Sequence, residues 1–283
     1  MQSPYFGPPR SPWALGALLM FCATCPLAAD ALAADLTANT VAAFDRYVRA
    51  AEERMNGDVQ HGPFLWADGL DAARRRAVES EARSGRVAVE RLRTRDHGHA
   101  IDVPDGIVHH WVGLIFVPGA TAAQVVALMQ DYDRHASVFA PAIQRSKLLS
   151  REGNRFRFFL RFHMKKVISV TVNTEHEARF VALSPQRAYS MLHSTRAAEV
   201  EEAGTAAEKE RPVGHDGGYL WRLNTYWRFD ERDGGTWVQC ESITLTRDIP
   251  FGFGWLVGPF VTSIPRESLA FTLGRIRQTL TRS

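Results

Sequence analysis

The sequence predicts an α+β fold in which a curved antiparallel sheet wraps around one long C-terminal helix, with extra helices at the N-terminus. Strand-like alternation recurs between Arg86 and Asp248, with turn residues between the segments and no parallel βαβ pattern. The C-terminal segment then carries apolar residues at helical spacing, which are Leu269, Leu273, Ile276 and Leu280. A helix with such an apolar stripe requires a sheet to cover, and the preceding strands supply one.

The first 33 residues have the pattern of a signal peptide. Arg10 precedes an apolar core from Trp13 to Ala29, and Ala31-Leu32-Ala33 fits a small-x-small cleavage site. The mature chain is therefore expected to begin at Ala34 and to be exported, as a periplasmic or secreted protein. The alternative is an uncleaved anchor, because the apolar core is nearly long enough to span a membrane.

The chain is expected to consist of a signal peptide over residues 1–33, an N-terminal helical extension over 34–85 and a main domain over 86–283. Cleavage leaves Cys240 as the remaining cysteine, so the exported protein has no internal disulfide and depends on its core. The 34 basic residues are interleaved with 31 acidic ones, and no nucleic-acid-binding motif is visible. Nucleic-acid binding is therefore not expected.

Hydrophobic periodicity and turn residues divide the rest of the chain into elements. Thr121 suits the N-cap of a helix, and Asp233-Gly234-Gly235 suits a tight hairpin turn. Helices are predicted over Leu36–Met55, Leu70–Ala82, Ala122–Asp133 and from Pro265 onwards. Strands are predicted over Arg86–Arg95, Ile107–Val117, Ile143–Ser150, Arg155–His163, Val167–His176, Ala188–Val200, Tyr219–Phe229 and Trp237–Asp248.

Two connections have unusual compositions. Glu201–Gly218 is charged, rich in glycine and free of large apolar residues, which predicts a solvated, mobile hairpin loop. Phe251–Ile264 is apolar but interrupted by three glycines and Pro259, which predicts an irregular segment before the final helix. This second connection either packs over the mouth of a cavity or contacts a membrane transiently while a lipid is delivered.

This element order resembles the START-like, Bet v 1-like helix-grip superfamily, whose members include polyketide cyclases and coenzyme Q-binding proteins. The resemblance covers Arg86 to Ser283. It rests on GATAAQVVALMQDYDRHASVFAPAIQRSKLL, on the later strands and on DIPFGFGWLVGPFVTSIPRESLAFTLGRIRQTL. It implies a cavity between the concave face of the sheet and the terminal helix, in which lipids, quinones, sterols or polyketides bind.

Given that implied cavity, strand alternation selects the side chains expected to line it. Glu241 shares a strand face with apolar residues and is included as a polar group that could orient a ligand, although an outward, solvated Glu241 is the alternative. The expected ligand-binding residues are Phe158, Leu160, Phe162, Tyr189, Met191, Trp221, Leu223, Trp227, Glu241, Ile243, Trp255, Phe260, Leu269 and Leu273.

Three classes of function fit these features. The first is an exported protein that binds a hydrophobic small molecule, a lipid or an isoprenoid, without covalent chemistry. The second is a cyclase or aromatase that uses His163, Glu241 or Tyr226 as acid–base groups. Export disfavours it, because polyketide and steroid precursors are built in the cytoplasm. The third is an interaction protein with a closed cavity, whose N-terminal helices bind a partner.

No cofactor or metal site is predicted. The Gly252-x-Gly254 pair lies in an apolar connection rather than at a helix start after a strand, so it does not form a phosphate-binding loop. His109 and His110 are adjacent on a predicted strand and therefore point to opposite faces, which makes shared metal ligation difficult.

The first prediction concerns export. N-terminal sequencing of the protein extracted from its own host is expected to find Ala34, within a few residues, at the start of the chain. An intact Met1 in the soluble fraction would contradict cleavage.

Overall fold

A computed structural model describes residues 34–165, 169–248 and 254–281, with side chains of the last range described from residue 263. The helices are α1 (Ala38–His61), α2 (Ala72–Arg83), α3 (Ala122–Gln130), the single turn α4 (His135–Val138) and α5 (Gly254–Thr281). The strands are β1 (Ala34–Asp35), β2 (Ala88–Arg91), β3 (Arg95–Asp96), β4 (His99–Ala100), β5 (Gly106–Pro118), β6 (Ile143–Glu152), β7 (Arg155–Lys165), β8 (Ser169–Ala182), β9 (Arg187–Glu201), β10 (Lys209–Glu210), β11 (His215–Asp216), β12 (Arg222–Arg232) and β13 (Gly235–Arg247). Within the described ranges, no helix combines the length and the hydropathy needed to cross a bilayer.

One large sheet dominates the domain. Its strand order is β2-β5-β13-β12-β9-β8-β7-β6, with β10 added beside β9, and every described pair is antiparallel. Two-residue hairpin loops join β6 to β7 and β12 to β13, where Glu152 pairs with Arg155 and Arg232 pairs with Gly235. Asp233 and Gly234 have φ angles of 60° and 77°, and they join the paired residues Arg232 and Gly235 as the sequence predicted.

The terminal helix α5 covers the inner face of this sheet. Leu269, Leu273 and Ile276 are buried there in the main hydrophobic core, and Leu280 packs against its edge. Val238 and Cys240 of β13 belong to the same core. The predicted α+β helix-grip architecture is therefore confirmed.

The helix α1 covers the opposite, outer face of the sheet. Phe44, Tyr47, Val48, Ala51 and Met55 of α1 are buried against Trp221, Tyr226, Ile243 and Leu245. A third cluster joins α2 and the preceding 3-10 turn to Leu114, Phe116 and Trp237 on the same outer face. Because both faces are covered, the central strands have few solvent-facing positions.

A glycine in β5 allows α5 to approach the sheet closely. A Cβ atom at Gly113 would lie 2.6 Å from Leu273 Cδ1 and 3.2 Å from Leu269 Cδ2. Distances this short are incompatible with an undisturbed contact, so any larger residue must displace the side chains of Leu273 and Leu269.

The structures of two connections differ in part from what the sequence predicts. The segment Phe251–Ile264 is not irregular throughout, because α5 begins at Gly254 and includes Pro265 in its interior. The segment Glu201–Gly218 is not a free loop, because its β10 pairs with β9 and its Glu208 is bound by Arg161 at 2.7 and 3.0 Å. Charged residues in this segment thus form ion pairs with the sheet instead of only facing solvent.

The second prediction tests the close approach of α5. Gly113→Val should lower the free energy of unfolding by about 1–3 kcal/mol, because its side chain would overlap Leu273. Gly57→Ala is the control, since Gly57 is exposed in α1 and a Cβ atom there meets nothing within 4 Å. That change should be neutral or stabilising by up to about 1 kcal/mol. Equal chemical-denaturation midpoints for both variants would show that α5 packs loosely.

Candidate functional site

The inner face of the sheet and α5 enclose a cavity of about 310 Å³. The wall is formed by β7, β8, β9, β12 and β13, and the part of α5 from Ile264 to Thr272 lies against it. The segment from the end of α3 to the start of β6 completes the wall with Met129, Phe139 and Ile143. Apolar and aromatic side chains make up most of the lining.

Six of the predicted ligand-binding residues line this cavity: Phe158, Leu160, Phe162, Leu223, Trp227 and Leu269. The structure therefore brings together side chains from β7, β12 and α5, as alternation and the helical stripe suggested. Their contact with a ligand stays a prediction. Leu273 lies beside them in the core but packs against Gly113 of β5 instead of lining the cavity.

Five other predicted residues lie on the outer face of the sheet and do not line the cavity, contrary to the prediction. Trp221 and Ile243 are buried beneath α1, and Met191 packs against the same cluster. Tyr189 lies two residues from Met191 on β9, and Glu241 lies two residues from Ile243 on β13, so each shares the outer face with its neighbour. The reason is that both sheet faces are buried, so an apolar strand face does not by itself identify the cavity side.

Trp255 and Phe260 fall where the structure gives the backbone alone. Their backbone belongs to α5. Their side chains lie outside the described residues, so their placement at a cavity entrance stays a prediction.

Glu241 is neither solvated nor in the cavity. Its carboxylate is buried under α1, where it accepts hydrogen bonds from His110 Nε2 at 2.7 Å and from the Arg54 guanidinium. The other ring nitrogen of His110 lies 3.0 Å from the Tyr47 hydroxyl. Burial raises the pKa of Glu241, but the bond from His110 and the charge of Arg54 outweigh it and lower the pKa overall. The network satisfies polar groups at the interface between α1 and the sheet.

Of the three acid–base candidates for an enzyme, only His163 lines the cavity. Tyr226 lies on the outer face, where its hydroxyl donates to Glu52 at 2.8 Å. The carboxylate of Glu241 and the phenol of Tyr226, the other two acid–base candidates, are therefore separated from the cavity by the sheet.

Sequence reasoning missed an aromatic stack that forms one wall of the cavity. The ring of Tyr132 lies 3.7 Å from that of Phe158, and Phe158 lies 5.0 Å from the ring of His176, with both pairs nearly parallel. His135 packs against Tyr132 at 4.9 Å. The sequence does indicate that His176 faces the core, because it alternates along β8 with the apolar residues Ala178 and Phe180.

The buried histidines of the cavity remain neutral in the folded protein. Burial lowers the pKa of His176 to about 3 and that of His135 to about 4, the latter despite a hydrogen bond to the Leu128 carbonyl. Burial also raises the pKa of Tyr132 far above neutral pH. These groups are suited to hydrogen bonding with a ligand rather than to proton transfer near neutral pH.

Metal ligands are not grouped in the described part of the chain, where no three His, Cys, Asp or Glu side chains are arranged to hold an ion. His109 bonds to Thr246 on the inner side, whereas His110 bonds to Glu241 on the outer side. The two adjacent histidines thus point to opposite faces of the sheet.

Comparisons with solved structures find similar chains that include proteins of the START type. The STAR-related lipid transfer protein of Xanthomonas axonopodis is 16% identical, with a TM-score of 0.43, over 64% of this chain and 97% of that one. The ZhuI aromatase/cyclase from Streptomyces sp. R1128 is 14% identical, with a TM-score of 0.40, over 62% and 95%. Human STARD10 is 10% identical, with a TM-score of 0.42, over 75% and 82%.

No protein-family model matches the sequence, and comparison with curated proteins gives no match. At these identities the structural neighbours identify neither a ligand nor a reaction for this chain.

The third prediction follows from the buried histidines. Each has an unfolded-state pKa near 6.5, and burial lowers it to about 3 for His176 and to about 4 for His135 and His109. Below pH 6.5 the unfolded chain binds protons that the folded chain does not, so stability is lost as the pH falls from about 6.5 to 4. Each histidine contributes roughly 1.4 kcal/mol per pH unit in that window.

Replacing His176 with Phe should reduce this acid-side slope by about one proton, as measured by urea unfolding at a series of pH values. Leu183→Ala is the control, because Leu183 is exposed and has no titratable group, so this change should leave the slope as it is in the wild type. Identical slopes for the two variants would show that His176 takes up a proton in the folded state.

Proposed function

We propose that this protein is exported and binds a hydrophobic small molecule, a lipid or an isoprenoid, without covalent chemistry. The observation that carries the proposal is the cavity of about 310 Å³ inside the core. Ligand pockets usually measure ~300–1,000 Å³, are mostly apolar and contain a few placed polar groups. The cavity has this size and this composition. Export is supported by the signal-peptide pattern of the first 33 residues.

The cavity volume favours a compact ligand. At about 310 Å³ it lies at the lower end of the range for ligand pockets. One ring system or one short chain fits this space better than a lipid with two acyl chains. The stacked rings of Tyr132, Phe158 and His176 give this part of the wall an aromatic character, which favours an apolar or aromatic group.

Transient membrane contact through Phe251–Ile264 is part of the same proposal. This segment has no charged residue and contains Phe251, Phe253, Trp255 and Phe260. Apolar aromatic side chains at the start of a helix are suited to the membrane interface. From a membrane in contact with this segment, a poorly soluble ligand could enter the cavity next to α5.

The fourth prediction tests the cavity itself. Ser242 lines it, so Ser242→Phe should fill part of the space and weaken binding of the uncharged fluorescent reporter N-phenyl-1-naphthylamine at least about tenfold. Ser80→Phe is the control, because it makes the same substitution at an exposed position of α2 that does not line the cavity. Binding is measured by fluorescence titration. Equal affinity in both variants, with both folded, would contradict binding in this cavity.

The fifth prediction tests membrane contact. Replacing Trp255 and Phe260 with Ser should slow transfer of the reporter between phosphatidylcholine vesicles several-fold while its equilibrium affinity stays the same. Leu149→Ser serves as the control, since Leu149 is an exposed apolar side chain elsewhere. Unchanged transfer rates in the double variant would contradict delivery through this segment.

A further inference from the structure

The protonated nitrogen of His176 can be assigned from its neighbours. The Thr174 hydroxyl donates its hydrogen to the Leu160 carbonyl at 3.1 Å. The same hydroxyl lies 2.7 Å from His176 Nε2, so it must accept there, and Nε2 carries the ring proton. Nδ1 therefore carries a lone pair and acts only as a hydrogen-bond acceptor.

This acceptor has no donor in the described protein. His176 is 1% exposed, and its Nδ1 makes no hydrogen bond. The faces and edges of the ring contact Phe158 and Phe162, which cannot supply one. An unpaired buried acceptor is costly, and most such atoms in native proteins have a partner. His176 belongs to the cavity lining, but Nδ1 itself is covered by neighbouring side chains. A molecule in the cavity becomes the source of that partner when one of these side chains shifts.

A second unpaired polar atom lies on the same row of the inner face. Thr244 Oγ1 is buried without a partner and belongs to the cavity lining. The strand register connects the two residues. His176 of β8 lies beside Ser194 of β9, and Thr244 of β13 lies beside Leu223 of β12. Ser194 and Leu223 are neighbours in turn, because Ser194 Oγ accepts a hydrogen bond from the Leu223 amide. The two unpaired atoms are thus three strand spacings apart, or roughly 14 Å along the sheet.

We propose that the cavity selects an apolar ligand with a hydroxyl group, such as a phenol or an isoprenoid alcohol, whose hydrogen is donated to His176 Nδ1. The proposal rests on the proposed function, because it assumes that the cavity holds a small hydrophobic molecule. Ketones, ethers and carboxylates present only lone pairs, which repel that of Nδ1. The Thr244 hydroxyl can donate or accept, so it accommodates a second polar group at the other end of the ligand.

The test compares probes that differ at one group. 2-Naphthol can donate a hydrogen bond, whereas 2-methoxynaphthalene can only accept, and both contain the same ring system. Their affinities are measured by displacement of N-phenyl-1-naphthylamine from the wild type and from His176→Phe. We expect 2-naphthol to bind at least about tenfold tighter than the ether in the wild type, because only it pairs the buried nitrogen. His176→Phe should abolish that preference while the ether still binds.

Two further measurements test the same assignment without the His176→Phe variant. Thr174→Val removes the group that fixes the ring proton on Nε2 and should also reduce the preference for 2-naphthol. In the wild type, the ¹⁵N resonance of Nδ1 should begin as that of an unprotonated nitrogen and move upfield with 2-naphthol but not with the ether.

The outcomes separate the two proposals. If both probes bind with a ratio that His176→Phe leaves unchanged, the hydroxyl assignment is overturned while hydrophobic binding stands. If a water molecule already pairs Nδ1, the result is the same lack of preference. If neither the probes nor the reporter bind, the proposed function fails and the hydroxyl assignment fails with it.

Discussion

Strand β13 runs through the middle of the molecule with side chains buried on both faces, and this double burial governs the rest of the structure. On the inner side Val238 and Cys240 face α5, and on the outer side Ile243 and Leu245 face α1. Polar residues on such a strand cannot reach solvent, so each needs a partner from the covering element. Gln239 accepts from the Trp66 amide at 2.6 Å, and Glu241 accepts from His110. The N-terminal helices therefore complete the core instead of decorating it.

The elements whose signals are local could be predicted from sequence. Thr121 caps α3 as expected. Its hydroxyl accepts a hydrogen bond from the Gln124 backbone amide, and Gln124 Oε1 accepts one from the Thr121 backbone amide. The Asp233-Gly234 turn and the apolar stripe of α5 also depend on residues close together in the chain. Their physical causes, which are capping, left-handed backbone and helical spacing, act within a few residues.

The cavity-facing side of the sheet could not be predicted from sequence in the same way. Alternation identifies a buried face only when the other face meets water. In β12, Leu223 and Trp227 face the cavity, while Tyr226 faces α1, as does Trp221 just before the strand. All four are apolar or aromatic, and the helices that cover them come from distant parts of the chain. Likewise, glycine and proline suggested an irregular segment before Pro265, whereas tertiary structure extends α5 back to Gly254.

The two faces of the sheet differ in how completely their polar groups are paired. Beneath α1, the described side chains Glu241, His110 and Tyr47 bond to one another, as buried polar groups require. In two residues that line the cavity, the buried atoms His176 Nδ1 and Thr244 Oγ1 lack partners among the described residues, although replacement by apolar side chains would remove that cost. A void of about 310 Å³ adds its own loss of packing to the empty state. Both costs fall on the same wall, which is why the proposed ligand is one occupant that is apolar and has a hydrogen to donate.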